Sequence, residues 1–443
     1  MAGEKPGNAA APLRESTIRR LVVRRFKSHF DESAIELRPL TVLAGANSSG
    51  KSSIMQPLLL LKQTFDATFD PGGLKLDGPN VQFSDPAQFL AKRKGRDGAD
   101  SFEIEVTLDP DWTIRPRFEL RERGLAVAST SYANTRAGRT VELLEERPIA
   151  SGDRAFFNLN LPEQQWAAVA IRRSALIVPA FQGPGEGELM HVMFGPPESL
   201  SRALRRAIHL PGYRGDPDRV RGRTAIGPSN PGLFHEYAAS IVLDWTEKRD
   251  PKLDALADAL YQARLGWKID ARARDAVSIE VRVSRTREAL QGGAKDLVSI
   301  ADVGFGVSQT LPVLVALIAA EPGQLIYIEQ PEIHLHPAAQ KGLADLIAKS
   351  AAAGARIVVE THSEIILTRL QWNVANGLIP KSDVVAHWFT RDKDGMSQVT
   401  SAEPDETGAF GEWPADFADV AAQVDQDYID AAQQRLFERT RTP

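Results

Sequence analysis

Eight consecutive residues carry the clearest chemistry in the sequence. Gly45-Ala46-Asn47-Ser48-Ser49-Gly50-Lys51-Ser52 fits the spacing G-x-x-x-x-G-K-[ST], and Ser53 follows it. Such a loop turns its backbone N–H groups inward, where they and the N-terminus of the next helix bind phosphate oxygens. Gly45 and Gly50 let the backbone turn without a Cβ clash. In that chemistry the Lys51 ammonium reaches the β- and γ-phosphates and the Ser52 hydroxyl ligates Mg²⁺. The ligand this chemistry predicts is a nucleoside triphosphate with Mg²⁺.

Three further strings could complete such a site. Leu325-Ile326-Tyr327-Ile328-Glu329-Gln330-Pro331-Glu332 is an apolar run ending in a carboxylate. Phosphate-loop enzymes use that arrangement to hold the magnesium shell, a role that falls to Glu329; the bland alternative is a buried strand with an acidic end. Asp302-Val303-Gly304-Phe305-Gly306-Val307-Ser308-Gln309 is a Gly-rich turn opening a helix, a second place where N–H groups can meet an anion. Val359-Glu360-Thr361-His362-Ser363 sets a histidine where it can hydrogen-bond a γ-phosphate, although a lone histidine is more often structural. His334 and His336 lack an evident third ligand and read as dimer contact or local structure rather than a metal site.

The elements that must position these residues are legible at both ends of the chain. Strands are predicted over 18–24, 34–37 and 40–44, then a helix over 51–65 with Ile54, Leu58, Leu61 and Phe65 on one face. Alternation predicts strands over 102–108, 114–120 and 125–131. Helical patterns cover 198–209, 233–247 and 253–265, and 277–283 reads as a strand. Helix 307–320, strand 324–328, helix 338–351, strand 356–360 and helix 363–375 then alternate, which argues for a parallel α/β sheet. No internal repeat and no long heptad pattern is visible.

Composition narrows the classes. The chain has 443 residues, 43% hydrophobic and 25% charged, with a net charge of −5, so it is not a polycation that coats nucleic acid by charge alone. Cys 0 excludes disulfides, thiolate metal sites and a cysteine nucleophile. No run approaches the roughly 18–20 apolar residues of a membrane span. The first 15 residues lack a signal-peptide core and read as a flexible tail, so a cytoplasmic location is expected.

Taken in order, phosphate loop, Gly-rich signature, acidic strand end and histidine resemble the ABC ATPase head, and within it the RecF, SMC and OLD branch. More narrowly, the chain is similar to prokaryotic stand-alone AAA/ABC-type ATPases. The residues that carry this are Asp302 to Gln309, the Glu-Gln-Pro-Glu-x-His-Leu-His-Pro string from Glu329 to Pro337, and Glu360 to Ser363, with Gly411, Trp413, Pro414 and Phe417 near the end. The resemblance implies an α/β fold: an ABC-type head with a mixed, mainly parallel sheet, an antiparallel β subdomain and a largely helical insertion. It divides the chain into a tail (1–15), the first part of the head (16–131), an insertion or lid (132–275), the second part of the head (276–400) and a small C-terminal module (401–443).

The resemblance also implies a mechanism in which two ATP molecules are buried in a two-fold homodimer. Lys51, Ser52, Glu329 and His362 then act in cis, while Gly304, Gly306, Ser308 and Gln309 act in trans. The signature departs from Leu-Ser-Gly-Gly-Gln: Gly306 stands at the serine position and Ser308 adjoins Gln309. Gln82 and Gln88 are candidates for the glutamine loop. Most such heads place a glutamate after the magnesium carboxylate; here it is Gln330, and a missing general base costs about 10²- to 10⁴-fold in rate. Slow turnover is expected unless Gln330 suffices to position water or Glu332 substitutes.

OLD-like enzymes carry a nuclease module after the ATPase, and too little chain follows His362 for one. A separate effector, nuclease or toxin, is therefore expected, in anti-phage defence or DNA maintenance. A DNA-binding repair ATPase and a nucleotide-gated scaffold are the other readings, and no membrane is involved in any of them. For nucleic acid, the basic stretch of Arg202, Arg205, Arg206, Arg214, Arg219, Arg221 and Arg223 could hold a backbone, or could be a solvated face paired with Glu198, Asp216 and Asp218.

Overall fold

The computed structural model describes residues 16–411 apart from 96–97, 123, 158–166, 183–188, 192–194, 226, 228 and 285–296, together with 426–431 and 433. The tail over 1–15 and the Trp413, Pro414 and Phe417 pattern lie outside the described residues.

Strands β1 (Ile18–Arg24), β2 (Ser33–Glu36) and β3 (Leu40–Gly45) lead into helix α1 (Lys51–Phe65). A meander follows: β4 (Ser101–Leu108), β5 (Trp112–Arg121), β6 (Gly124–Asn134) and β7 (Arg139–Leu143). Next come the one-turn α2 (Ser151–Arg154), then β8 (Ala167–Arg173), β9 (Leu176–Gln182) and β10 (Leu189–His191). The middle continues with α3 (Pro196–Arg206), β11 (Ile208–Leu210), β12 (Arg221–Gly222), α4 (Ala238–Lys248), α5 (Pro251–Gln262), β13 (Ile269–Ala273), β14 (Ser278–Ser284) and β15 (Leu297–Ser299). The last part alternates α6 (Phe305–Ala319), β16 (Leu325–Glu329), α7 (Pro337–Ala352), β17 (Arg356–Glu360), α8 (Glu364–Ala375), β18 (Val384–Arg391) and β19 (Ser397–Ala402).

The main sheet runs β11-β16-β17-β3-β18-β19. Its first five strands are mutually parallel and β19 is antiparallel at the edge. The second large sheet, β2-β1-β4-β5-β6-β7, is antiparallel throughout. This is the expected α/β class.

Strand periodicity decides what each face of the main sheet carries. Leu40, Val42, Ala44, Ile326, Ile328, Ile357 and Val359 share one core with helices α4 to α8. Leu43, Leu325, Tyr327 and Val358 point the other way and share a core with α1 and the antiparallel sheet. Side chains alternate along a strand, so Glu329 lies on the face of Leu325 and Tyr327, and Glu360 on the face of Val358. Both carboxylates therefore lie on the α1 side. Because β3, β16 and β17 are parallel, the phosphate loop and both carboxylates also meet at one end of the sheet, where α/β folds bind ligands.

One expected helix is shorter than its sequence pattern. The pattern over 198–209 continues past the end of α3 at Arg206, but Ala207 turns extended (φ −61°, ψ 138°). Ile208, His209 and Leu210 then pair in parallel with Ile326, Tyr327 and Ile328. Burial beside β16 overrides a helical pattern that local spacing alone supports. The stretch 132–275 thus contributes helices α2 to α5 and also strands β7 to β13, with β11 an edge of the main sheet.

Candidate nucleotide site

The phosphate loop joins β3 to α1 as its spacing predicts. Gly45 (φ 140°) and Gly50 (φ 108°) take backbone conformations that L side chains rarely adopt. A Cβ on Gly45 would also collide with the Phe389 carbonyl, and one on Gly50 with the Ser397 hydroxyl. Lys51 Nζ donates to the carbonyls of Gly45 (3.0 Å) and Ala46 (2.7 Å), which curls the loop around its own ammonium. Burial pushes the Lys51 pKa down, against the pull of Glu360 and Glu332. From outside, Arg391 Nε donates to the Ser48 carbonyl (2.6 Å) and Ser397 Oγ to the Ser49 carbonyl (2.6 Å). Buried His29 hydrogen-bonds the Gly50 carbonyl through Nε2 (3.1 Å).

The two carboxylates divide their partners. Ser52 Oγ donates to Glu360 Oε1 (2.9 Å), and the Tyr327 hydroxyl donates to Glu360 Oε2 (2.9 Å). Glu329 is one strand further out, in register with Glu360. Its Oε1 meets His209 Nε2 (3.1 Å) and its Oε2 accepts the Gly212 N–H (3.2 Å). Burial, then the neighbouring Glu329 charge, raise the Glu360 pKa. Burial opposes ionisation of Glu329 too, but the bonds from His209 and Gly212 outweigh it and lower its pKa. His209 stacks flat on Tyr327 (5.4 Å, 7°) and meets Asn80 Oδ1 through Nδ1 (3.1 Å).

Behind β16 the loops are tied by Glu332 and Arg214. Glu332 Oε1 accepts the His362 N–H (2.7 Å), and burial raises its pKa. This bond aims Glu332 at the His362 backbone, so it joins two loops. His362 itself is half-buried, and burial followed by the Lys51 charge lowers its pKa. Gln330 sits in the left-handed region (φ 42°) with its N–H on the Glu360 carbonyl (2.8 Å). Arg214 is 1% exposed and donates to the carbonyls of Glu329 (2.5 Å) and Gln309 (3.4 Å); burial lowers its pKa to about 10.

The four signature residues separate into two pairs. Ser308 and Gln309, expected to reach a partner's nucleotide, are buried. Ser308 Oγ donates to the Phe305 carbonyl (2.8 Å), while Gln309 accepts the Arg214 N–H (3.0 Å) and donates to the Gly215 carbonyl (2.5 Å). They close the first turn of α6 and open the second, where the helix packs into the core. Gly304 is different: it is exposed at the N-terminus of α6, which has no side-chain cap, and a Cβ there would meet nothing within 4 Å. Gly306 packs against the His334 carbonyl. The His334 ring meets Phe305 edge-on (4.7 Å), and His336 caps α7 by accepting the Ala338 N–H (3.3 Å).

The other candidates are engaged locally. Gln88 closes a turn with Ser84 (2.9 and 3.0 Å), and Gln82 is exposed. In the basic stretch, Arg214 is buried, Arg219 pairs with Asp302 (2.5 Å), Arg206 with Glu321, and Arg221 with the Asp216 carbonyl. Of the pairs the paired-face reading named, Arg202 meets Glu198 and Arg221 meets Asp218, each at 3.9 Å.

Sequence reasoning missed Glu360, Tyr327, His209, Asn80 and Arg214 as site residues. A signal existed for Glu360: it ends an apolar run just as Glu329 does. None existed for His209, which the helical pattern absorbed.

The donor set fits a magnesium nucleotide. Helix α1 has no side-chain cap, so its first-turn N–H groups are left for an acceptor. The Ser49 hydroxyl is buried without a partner among the described residues, and Ser52 already sits against a carboxylate. Fold and site define the phosphate-loop nucleotide-binding class. The family model described as "AAA domain, putative AbiEii toxin, Type IV TA system" matches residues 40–368, well over half of the chain, and the chain belongs to that family.

Among solved structures, the chain is similar to an SMC head bound to the C-winged helix domain of ScpA, with 16% identity and TM-score 0.47, covering 87% of this chain and 98% of that one. It is also similar to the Smc head with an extended coiled coil bound to the C-terminal domain of ScpA from Pyrococcus furiosus, at 14% identity and TM-score 0.46, covering 88% and 96%. For the SMC head domain from Thermotoga maritima the values are 13%, 0.38, 87% and 98%. No curated protein matches the chain. No helix among the described residues is long and apolar enough to cross a membrane.

Proposed function

We propose that this chain is a magnesium-dependent ATPase that works as an ATP-bridged homodimer and switches a separate effector, a nuclease or toxin, in the cytoplasm. The observation that carries the reading is the meeting of Lys51, the Ser52–Glu360 pair, Glu329 and the His362 backbone at the uncapped N-terminus of α1. Lys51 and the loop N–H groups hold the triphosphate, and His362 faces the γ-phosphate. Bound magnesium supplies positive charge to the β- and γ-phosphates. The Gln330 amide orients the attacking water without taking its proton, so turnover is slow and the ATP-bound state long-lived.

The exposed Gly304 turn of one copy closes on the γ-phosphate held by the other, with the α6 N-terminus as the anion site. The switch then acts in anti-phage defence or DNA maintenance. Molar mass in solution tests the dimer. The native chain dimerises with Mg·ATP and not with Mg·ADP. Gly304→Glu, whose side chain enters open space, stays monomeric yet still binds nucleotide. A native chain that is monomeric in both nucleotides, or a Gly304→Glu variant that dimerises like the native chain, overturns the reading.

A further inference from the structure

We infer that Glu360, the last residue of β17, is the protein carboxylate that ligates the nucleotide's magnesium ion together with Ser52, while Glu329 stands behind it. The inference rests on the nucleotide site proposed above and assigns its metal ligand.

Three observations carry it. The first is topology. β17 lies between β3 and β16, and Leu43, Glu360 and Glu329 are in register across the three strands. Neighbouring strands are about 4.8 Å apart, so Glu360 is one strand closer to the phosphate loop than Glu329.

The second is geometry. Ser52 Oγ and Glu360 Oε1 are 2.9 Å apart. Adjacent ligands of an octahedral magnesium ion, each about 2.0–2.1 Å from the metal, lie about 2.9 Å from one another. The pair is spaced as two such ligands once the serine proton turns away. Tyr327, buried and donating to Oε2, fixes the carboxylate so that Oε1 keeps facing the loop. The hydroxyl of Ser49, in the same loop, is buried without a partner among the described residues.

The third is occupancy. Both oxygens of Glu329 are committed, Oε1 to His209 and Oε2 to the Gly212 N–H. A metal there would have to share or displace one of these bonds. Glu360 gives up only a serine hydroxyl that is itself a ligand. Glu329 contributes in another way, because its charge sits beside buried Glu360 and the divalent cation compensates the two carboxylates together.

The test uses the full chain with a non-hydrolysable ATP analogue and Mn²⁺, followed by electron paramagnetic resonance. Glu360→Gln lowers Mn²⁺ affinity by about 10- to 100-fold; Ser52→Ala does the same, and Glu329→Gln, which removes only a neighbouring charge, lowers it less than either. Glu360→Gln does not weaken nucleotide binding in EDTA, because losing a negative charge beside the triphosphate does not oppose an anion. A second measurement guards against misfolding. The chain has Cys 0, so Glu360→Cys introduces a unique thiol. With nucleotide and Cd²⁺ it gives a thiolate-to-metal ultraviolet band, and Glu329→Cys does not. Native-like Mn²⁺ binding by Glu360→Gln, or the band at position 329 and not 360, overturns the assignment alone. A native chain that binds no nucleotide overturns the ATPase reading and this inference with it.

Discussion

Arg214 and Gln309 interlock. The Arg214 N–H donates to Gln309 Oε1 (3.0 Å), the Gln309 amide donates to the Gly215 carbonyl (2.5 Å), and the Arg214 guanidinium bridges the Gln309 and Glu329 carbonyls (3.4 and 2.5 Å). One buried side chain thereby joins the signature helix α6 to the end of β16. Arg214→Ala removes both guanidinium bonds and lowers unfolding free energy by about 1–3 kcal/mol in urea denaturation. Arg214→Lys does not restore it, because a point charge cannot span two carbonyls. Native stability in either variant would contradict the bridging role.

Gln330→Glu would put a carboxylate base where the proposed mechanism has an amide. Steady-state ATP turnover should rise on the order of 10²-fold. A fast native rate that the substitution does not increase would show that the amide suffices.

The Gly50 position is crowded from a distant segment. Gly50→Ala forces a Cβ into the Ser397 hydroxyl and into an unfavourable backbone region. It should weaken ATP-analogue binding measured by fluorescence. Adding Ser397→Gly removes the collision but not the strain, so binding recovers only in part. Full recovery, or none, would refute this account of the loop's outer wall.

Acid should loosen the same wall. Burial lowers the His29 pKa from 6.5 to about 4. A histidine depressed in the folded state contributes stability that is fully present above 6.5 and is lost as pH falls toward about 4, because the unfolded chain takes up the proton first. The term is about 3 kcal/mol over that window. His235, also lowered to about 4 by burial, adds in the same direction. His29→Asn should flatten the fall of Tm between pH 7 and pH 5 (about the window of this titration); an unchanged slope would count against it.

Much of this architecture is legible in the sequence because one rule decides it locally. The phosphate loop, α1, β16 and β17 are short apolar or periodic segments bounded by glycine or charge, and each begins or ends within a residue or so of its sequence pattern. The site's second half is not local. His209 reaches Glu329 across 120 positions through a three-residue strand too short to show a period, and Ser52 reaches Glu360 across 308. Ser308 and Gln309 share a motif with Gly304 and Gly306, yet helix α6 turns them inward after one turn, and no spacing in the string records which of the four remain outside.

The most direct measurement is equilibrium binding of a fluorescent ATP analogue, with magnesium, to the native chain and to Lys51→Met. The account predicts saturable binding by the native chain and an affinity about 10- to 100-fold weaker in the variant, the loss of one charge-assisted contact to phosphate. No binding by the native chain, or equal binding by both, would contradict it.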